Sequence, residues 1–187
     1  MESTGLPRKY EEYAYVLDII VRGRSNTIKG REGIIVQSVG EERLTLLELL
    51  AMPNATFDLS ERVYIGKDGR DKILSVLGRL DYSNISVPAQ NELPLAIEMI
   101  VKSNEKRFVD YINNAQPINP RIHSLQLIPG IGKTYLINIL QEREKKLFES
   151  FDDLQKRIGL RDPSKLIGKR IVEEIAGDAR INIFVRR

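Results

Sequence analysis

The segment Leu125-Gln-Leu-Ile-Pro-Gly-Ile-Gly-Lys-Thr134 constrains this chain more than any other. A short apolar stretch runs into Pro129-Gly130-Ile131-Gly132, and a run with helical periodicity follows, with Leu136, Ile139, Leu140 and Leu147 on one side. Glycine accepts left-handed or crowded backbone that other residues resist, so two glycines around one apolar residue make a tight turn. The turn opens directly into a helix, so N–H groups without intrahelical acceptors point outward at its start, a ready anion site. Lys133 adds a full positive charge and Thr134 a hydroxyl donor. The expected anion is a nucleic-acid phosphate.

Ile128-Pro129-Gly130-Ile131-Gly132 resembles the core of the helix-hairpin-helix motif, a hydrophobic residue followed by Pro-Gly-Ile-Gly, without a gap. The resemblance implies that Gly130, Ile131 and Gly132 offer backbone donors to one strand's phosphates, with Lys133 and Thr134 beside them, and that no base is read. The bland reading is a turn between helices with no ligand. Gly130-Ile-Gly-Lys-Thr134 also ends like a nucleotide-binding P-loop, but the first glycine of that pattern falls at Leu127 and Pro129 would sit inside the phosphate cradle. An ATPase or GTPase site is therefore set aside.

The chain has 187 residues, enough for one large or two small domains. No apolar run approaches the roughly 20 residues that cross a bilayer, and the start, Met1-Glu-Ser-Thr-Gly-Leu-Pro-Arg-Lys9, has no apolar secretion core. A cytoplasmic location without membrane contact is the expectation. With no cysteine there are no disulfides and no thiolate metal sites. The formal net charge of +3 is unevenly spread: residues 1–117 hold 15 Lys/Arg and 17 Asp/Glu, and residues 118–187 hold 14 and 9. The basic excess accompanies the Pro-Gly turn, as a phosphate-rich partner would require, although a solvated helical surface has the same composition.

Two periods divide the chain. Tyr13–Val21, Gly33–Val39, Leu44–Leu50, Glu61–Gly66 and, with a helix as the competing reading, Lys72–Tyr82 show the β-branched content or alternation of strands. Five short strands broken by glycines suit an OB-like β-barrel over residues 1–87, which buries its sheet edges. Tyr13, Tyr15 and Tyr64 are candidates for stacking on single-stranded bases, though packing is the preferred role for these rings. Residues 88–187 read as an all-α region closed by a late strand. Asn91 caps a helix with Pro94 in its first turn and Ala96, Ile97, Ile100 and Val101 on one stripe. A further helix over residues 104–112 and a linker at Pro117 and Pro120 precede the turn. The fold class expected is α+β.

Tandem hairpins are expected over residues 120–149 and 151–177. In the second, Phe151 to Ile158 is a short helix, Gly159-Leu-Arg-Asp162 a turn, and Pro163 opens a helix ended by Gly177. Only Gly159 remains of the glycine pair, so Lys156, Arg157, Arg161, Lys165, Lys169 and Arg170 would supply the charge; six cations on helices are equally a solvated face. The tail from Arg180 alternates as a strand, or contacts nucleic acid through Arg186 and Arg187.

The whole chain resembles an uncharacterised archaeal family of OB-plus-helix-hairpin-helix proteins. The features that carry this are Tyr13-Ala-Tyr-Val-Leu-Asp18, Arg62-Val-Tyr-Ile-Gly66, Asn91-Glu-Leu-Pro94, Leu127-Ile-Pro-Gly-Ile-Gly132, Phe151-Asp-Asp-Leu154 and Lys165 to Ile175. The resemblance implies a nucleic-acid- or nucleotide-binding protein without an assigned reaction, and its setting favours RNA and translation over DNA. No cofactor and no metal are expected. The primary expectation is non-catalytic nucleic-acid binding through Gly130, Ile131, Gly132, Lys133, Thr134, Gly159, Arg161, Lys165, Lys169 and Arg170. The alternatives are an interaction module docking on a translation or transcription protein, and an unrecognised nucleic-acid-processing enzyme. Against the enzyme, Glu41-Glu42, Asp152-Asp153 and Glu173-Glu174 are sequence neighbours that diverge on a strand or helix, and Asp178 and His123 stand without companions.

Overall fold

The computed structural model describes residues 10–186, and within them the chain divides into two compact units. One takes residues up to Ala96 together with those from Glu174 onward; the other is Ile97–Glu173. The division expected after residue 87 therefore falls later, inside a helix, and the C-terminal residues belong with the sheet. No helix among the described residues is long and apolar enough to cross a membrane.

The first unit is built on five antiparallel strands, β1 (Tyr13–Arg24), β2 (Glu32–Gly40), β3 (Leu46–Ala51), β4 (Arg62–Tyr64) and β5 (Ile73–Arg79), in the order β4-β1-β2-β3-β5. Of the segment 72–82 expected as a strand, Ile73–Arg79 is one, and Tyr82 opens a 3-10 turn. Register shifts in β1 at Val16/Asp18 and Ile20/Gly23, and in the β3–β5 pairing, curl the sheet into a half-barrel. Alternate residues Ala14, Val16, Val36, Leu47, Leu49, Val63 and Ile73 fill its inside. The edge strands β4 and β5 share no backbone ladder among the described residues. Instead the Arg70 guanidinium donates to the carbonyls of Ile65 (3.2 Å) and Gly66 (2.6 Å) on one side and of Leu74 (3.1 Å) on the other. On the outer face Gln37 accepts from the Ser86 amide at 2.8 Å, and Ser86 caps α1 (Val87–Ser103) by accepting from Ala89 at 3.1 Å. The helix starts earlier than the Asn91 cap expected, so Pro94 lies inside it rather than in its first turn.

Three buried glutamates fasten loops of this unit. Glu11 accepts the amides of Glu42 (2.8 Å) and Arg43 (2.7 Å), and burial raises its pKa above the ordinary 4.5. Glu48 accepts from the Ser25 hydroxyl, the amides of Asn26 (2.9 Å) and Thr27 (3.3 Å), and the Thr27 hydroxyl (2.8 Å). Glu174 accepts the amides of Ile183 and Phe184. This last anchor corrects the expected C-terminal strand: residues 180–186 form none, because their amides go to a carboxylate and, at Arg186, to the Arg43 carbonyl at 3.3 Å. Arg187 lies outside the described residues.

The second unit continues α1, then adds α2 (Glu105–Asn114), a two-stranded ribbon β6 (Pro117–Asn119) and β7 (Ile122–His123), α3 (Lys133–Lys145), α4 (Phe151–Ile158) and α5 (Pro163–Ala176), whose last residues lie in the first unit. Phe108, Ile112, Leu125, Ile128, Ile139, Leu154, Ile167 and Ile171 form its buried interior. Asn113 closes a reciprocal pair of 2.9 Å bonds with the Phe148 backbone. Arg157 holds the end of α3 by donating to the carbonyls of Glu142 (2.7 Å) and Lys146 (2.8 Å), with its guanidinium 4.4 Å from the centre of the Phe148 ring.

Candidate nucleic-acid interface

A 3-10 turn over Ser124–Leu127 leads into the Pro-Gly segment. His123 fixes it: its Nδ1 accepts the Leu125 amide at 3.1 Å while its own amide donates to Gln126 at 3.0 Å. Burial, then the neighbouring Arg143 guanidinium, lowers the His123 pKa below the ordinary 6.5, as suits an imidazole that must accept at Nδ1. The lone histidine is a cap.

Ile128-Pro129-Gly130-Ile131 forms a β-turn closed by an Ile131 N–H to Ile128 carbonyl bond of 3.1 Å. Proline in the second place and a glycine with φ +89° in the third are what a type II turn demands. The Ile131 side chain is buried at 4% exposure. Both facts remove Ile131 from the expected donors, because its amide is spent on the turn and its side chain anchors it. Gly130, Gly132, Lys133 and Thr134 are exposed, and no acceptor among the described residues takes their amides. Gly132 is the N-cap of α3 with φ −88°, and a Cβ there would meet nothing within 4 Å. At Gly130 a Cβ would press on Leu166 of α5, so this turn packs against the second hairpin's helix.

At that second hairpin the outcome is mixed. Gly159 has φ +77° and ends α4, its amide donating to Gln155 at 2.7 Å. It is a left-handed C-cap, and its N–H is not available to a phosphate. Arg170 is only 8% exposed and pairs with Glu173 at 3.8 Å, which withdraws it from the expected set. Lys156 is held by Asp152 at 2.7 Å, and Arg157 by the end of α3. Arg161, Lys165 and Lys169 remain exposed, as does Lys133, with no ion-pair partner among the described residues. The surviving set is therefore Gly130, Gly132, Lys133, Thr134, Arg161, Lys165 and Lys169.

The tyrosines of the sheet are engaged with the protein. Tyr15 is buried, the Arg62 guanidinium covers the Tyr13 ring at 3.5 Å, and Tyr64 meets Tyr13 edge-on at 5.4 Å. The neighbouring acids also have partners: Glu41 pairs with Arg62, Asp153 with Arg157 and Glu173 with Arg170. No group of three or more His, Asp or Glu among the described residues is gathered closely enough to hold a metal ion. Sequence reasoning passed over Arg22, Arg24, Lys29 and Arg31, whose local charge disappears in the net balance of the first 117 residues. A scan in short windows would have found them.

These features define a mixed α/β protein with a curled five-stranded antiparallel sheet, followed by helices that carry an exposed, cation-flanked helix start. The chain belongs to the family described as "Protein of unknown function (DUF655)", which matches residues 10–186. It is 41% identical over 179 residues to the uncharacterized protein MJ0038 of Methanocaldococcus jannaschii, covering 96% of this chain and 81% of that protein. The crystal structure of Af1531 from Archaeoglobus fulgidus, of the same family, superposes with a TM-score of 0.83 at 39% identity, covering 94% of this chain and 100% of that one.

Proposed function

We propose that this protein binds nucleic acid, RNA in preference to DNA, by seating backbone phosphates on the turn at Gly130–Thr134 without reading bases. The observation that carries the reading is the row of exposed amides at Gly132, Lys133 and Thr134, which have no acceptor among the described residues. A helix start concentrates positive partial charge, and proteins ordinarily neutralise it with acids in the first turn. Helix α4 follows that habit with Asp152 and Asp153. Helix α3 has no acid there and carries Lys133 instead, whereas α5 carries Lys165 in its first turn but has Asp162 directly before it. Like-signed charge placed on a positive helix end is unfavourable until an anion arrives, which supports a ligand over a bare connecting turn.

Two further features support the reading. We read the 3-10 turn and Pro-Gly turn before α3, and the α4–Gly159–α5 pair, as tandem helix-hairpin-helix units, a reading supported by the packing of Gly130 against Leu166. The strand order β4-β1-β2-β3-β5 is what an OB-like barrel opened between its last two strands would have. The preference for RNA rests on the family resemblance. Contacts of this kind position a protein on a backbone and leave sequence unread.

Anisotropy of labelled RNA and DNA oligonucleotides against salt tests the proposal. The about 4 phosphates neutralised at the turn contribute a log–log slope of about −2.8 on a single strand and about −3.6 on duplex DNA. Binding that ignores salt, or the absence of binding, defeats it. A partner protein captured equally well after nuclease treatment would replace it with an interaction role.

A further inference from the structure

We infer that the end of β1 and the β1–β2 loop after it form a second nucleic-acid contact, taking phosphates through Arg22 on the strand and Lys29 and Arg31 in the loop. The inference rests on the nucleic-acid reading but not on the turn at Gly130. Residues 21–31 contain Arg22, Arg24, Lys29 and Arg31 and no acid, and all four cations are exposed. Arg24 is paired with Glu32 at 2.9 Å. Arg22, Lys29 and Arg31 have no such partner among the described residues.

The loop is held in one shape. The Ser25 amide donates to the Arg31 carbonyl at 2.8 Å, and the Arg31 amide to that of Ile28 at 3.2 Å. Beneath it lies Glu48, 0% exposed on β3, with both carboxylate oxygens engaged by Ser25, Asn26 and Thr27. Withdrawing a carboxylate from water costs several kcal/mol unless its oxygens are fully hydrogen-bonded. The anchor fixes the backbone that presents Lys29 and Arg31, and Arg22 stands on the ladder-bonded end of β1 just before it. Ile28, 40% exposed, adds an apolar surface among them. Guanidinium groups match phosphate oxygens in geometry as well as charge, so a polyphosphate backbone is the partner this arrangement fits.

The test uses the full chain and a labelled single-stranded oligoribonucleotide. Replacing Arg22, Lys29 and Arg31 together by Gln should flatten the salt slope by about 2.1, the share of three single-strand phosphate contacts. Arg22→Lys with Arg31→Lys, which keeps the charge, should leave the slope unchanged. A triple variant that binds like the parent, while Lys133→Gln with Lys169→Gln loses affinity, overturns the loop contact and leaves the turn reading standing. Loss in the loop variant with none in the turn variant overturns the turn and keeps the loop. A parent chain that binds no oligonucleotide overturns both. Poly-L-glutamate bound as tightly as RNA, and released by the triple substitution, would make the partner an acidic protein and overturn the nucleic-acid assignment.

Discussion

A Cβ placed on Gly130 would stand 3.2 Å from Cδ1 of Leu166, closer than ordinary packing allows. This contact joins the Pro-Gly turn to α5. It also separates two glycines that look equivalent in sequence. Gly130 is needed for its φ of +89° and for the space above Leu166, whereas Gly132 has φ −88° and open surroundings.

Gly130→Ala is therefore expected to destabilise the protein by about 1–3 kcal/mol, through strained backbone and a displaced leucine. Gly132→Ala should leave thermal stability nearly unchanged and weaken RNA binding, because the added methyl stands where a phosphate oxygen must approach the α3 amides. Differential scanning fluorimetry beside anisotropy separates the effects. Full affinity in Gly132→Ala would show that no ligand comes close to this backbone.

Lys133, Lys165 and Lys169 face solvent without carboxylate partners among the described residues. Changing each to Gln should lower the single-strand salt slope by about 0.7 and weaken binding to unrelated sequences alike. Arg170→Gln should have no comparable effect on the slope, since that side chain is buried beside Glu173. A marked sequence preference that changes with any of the lysines would contradict contacts limited to phosphates.

Arg157 is the main tie between α4 and the end of α3. Its guanidinium covers the Phe148 ring and donates to the carbonyls of Lys146, at the C-cap, and of Glu142, which also accepts the Lys146 amide. Hydrogen bonds to a charged donor contribute about 1.5–3 kcal/mol, so Arg157→Ala should lower the unfolding free energy by about that amount. Arg157→Lys should recover only part of it, because an ammonium cannot reproduce the planar fork. Urea denaturation measures both.

His123 sets a direction for pH. Burial and Arg143 hold its folded pKa below the 6.5 of the free side chain. As pH falls through 6.5 and below, the unfolded chain takes up a proton that the folded chain refuses, so folding stability declines toward acid; above that window this residue adds no pH dependence. Glu11, with its folded pKa raised above 4.5, acts in the opposite sense, losing its contribution as pH rises through the folded value. His123→Asn keeps an acceptor for the Leu125 amide and removes the titration. Its melting temperature should decline less than the parent's between neutral and mildly acidic pH. An identical decline in both would show that His123 is not the group responsible.

Local chemistry placed most of the elements. Alternation and β-branched residues mark the five strands, Pro129 with Gly130 marks the turn, and the apolar stripe of α3 marks the helix it opens into. Each depends on neighbours a few residues apart, which a linear reading can weigh.

Long-range contacts decided most of the rest. Two amide uses are local and still escaped the linear reading: Ile131 spends its N–H on Ile128 and Gly159 on Gln155, three and four residues back, while Gly132 keeps its own. Whether an arginine faces solvent depends on what covers it, so Arg170 is buried and Arg161, on the same hairpin, is not. The C-terminal residues lose their strand to Glu174, and the β1–β2 loop is shaped by Glu48, a carboxylate from another strand. Sequence alone names the groups able to meet a phosphate. Only the packed chain determines which of them the protein has already used, because burial and hydrogen-bond satisfaction are settled between residues far apart in the sequence.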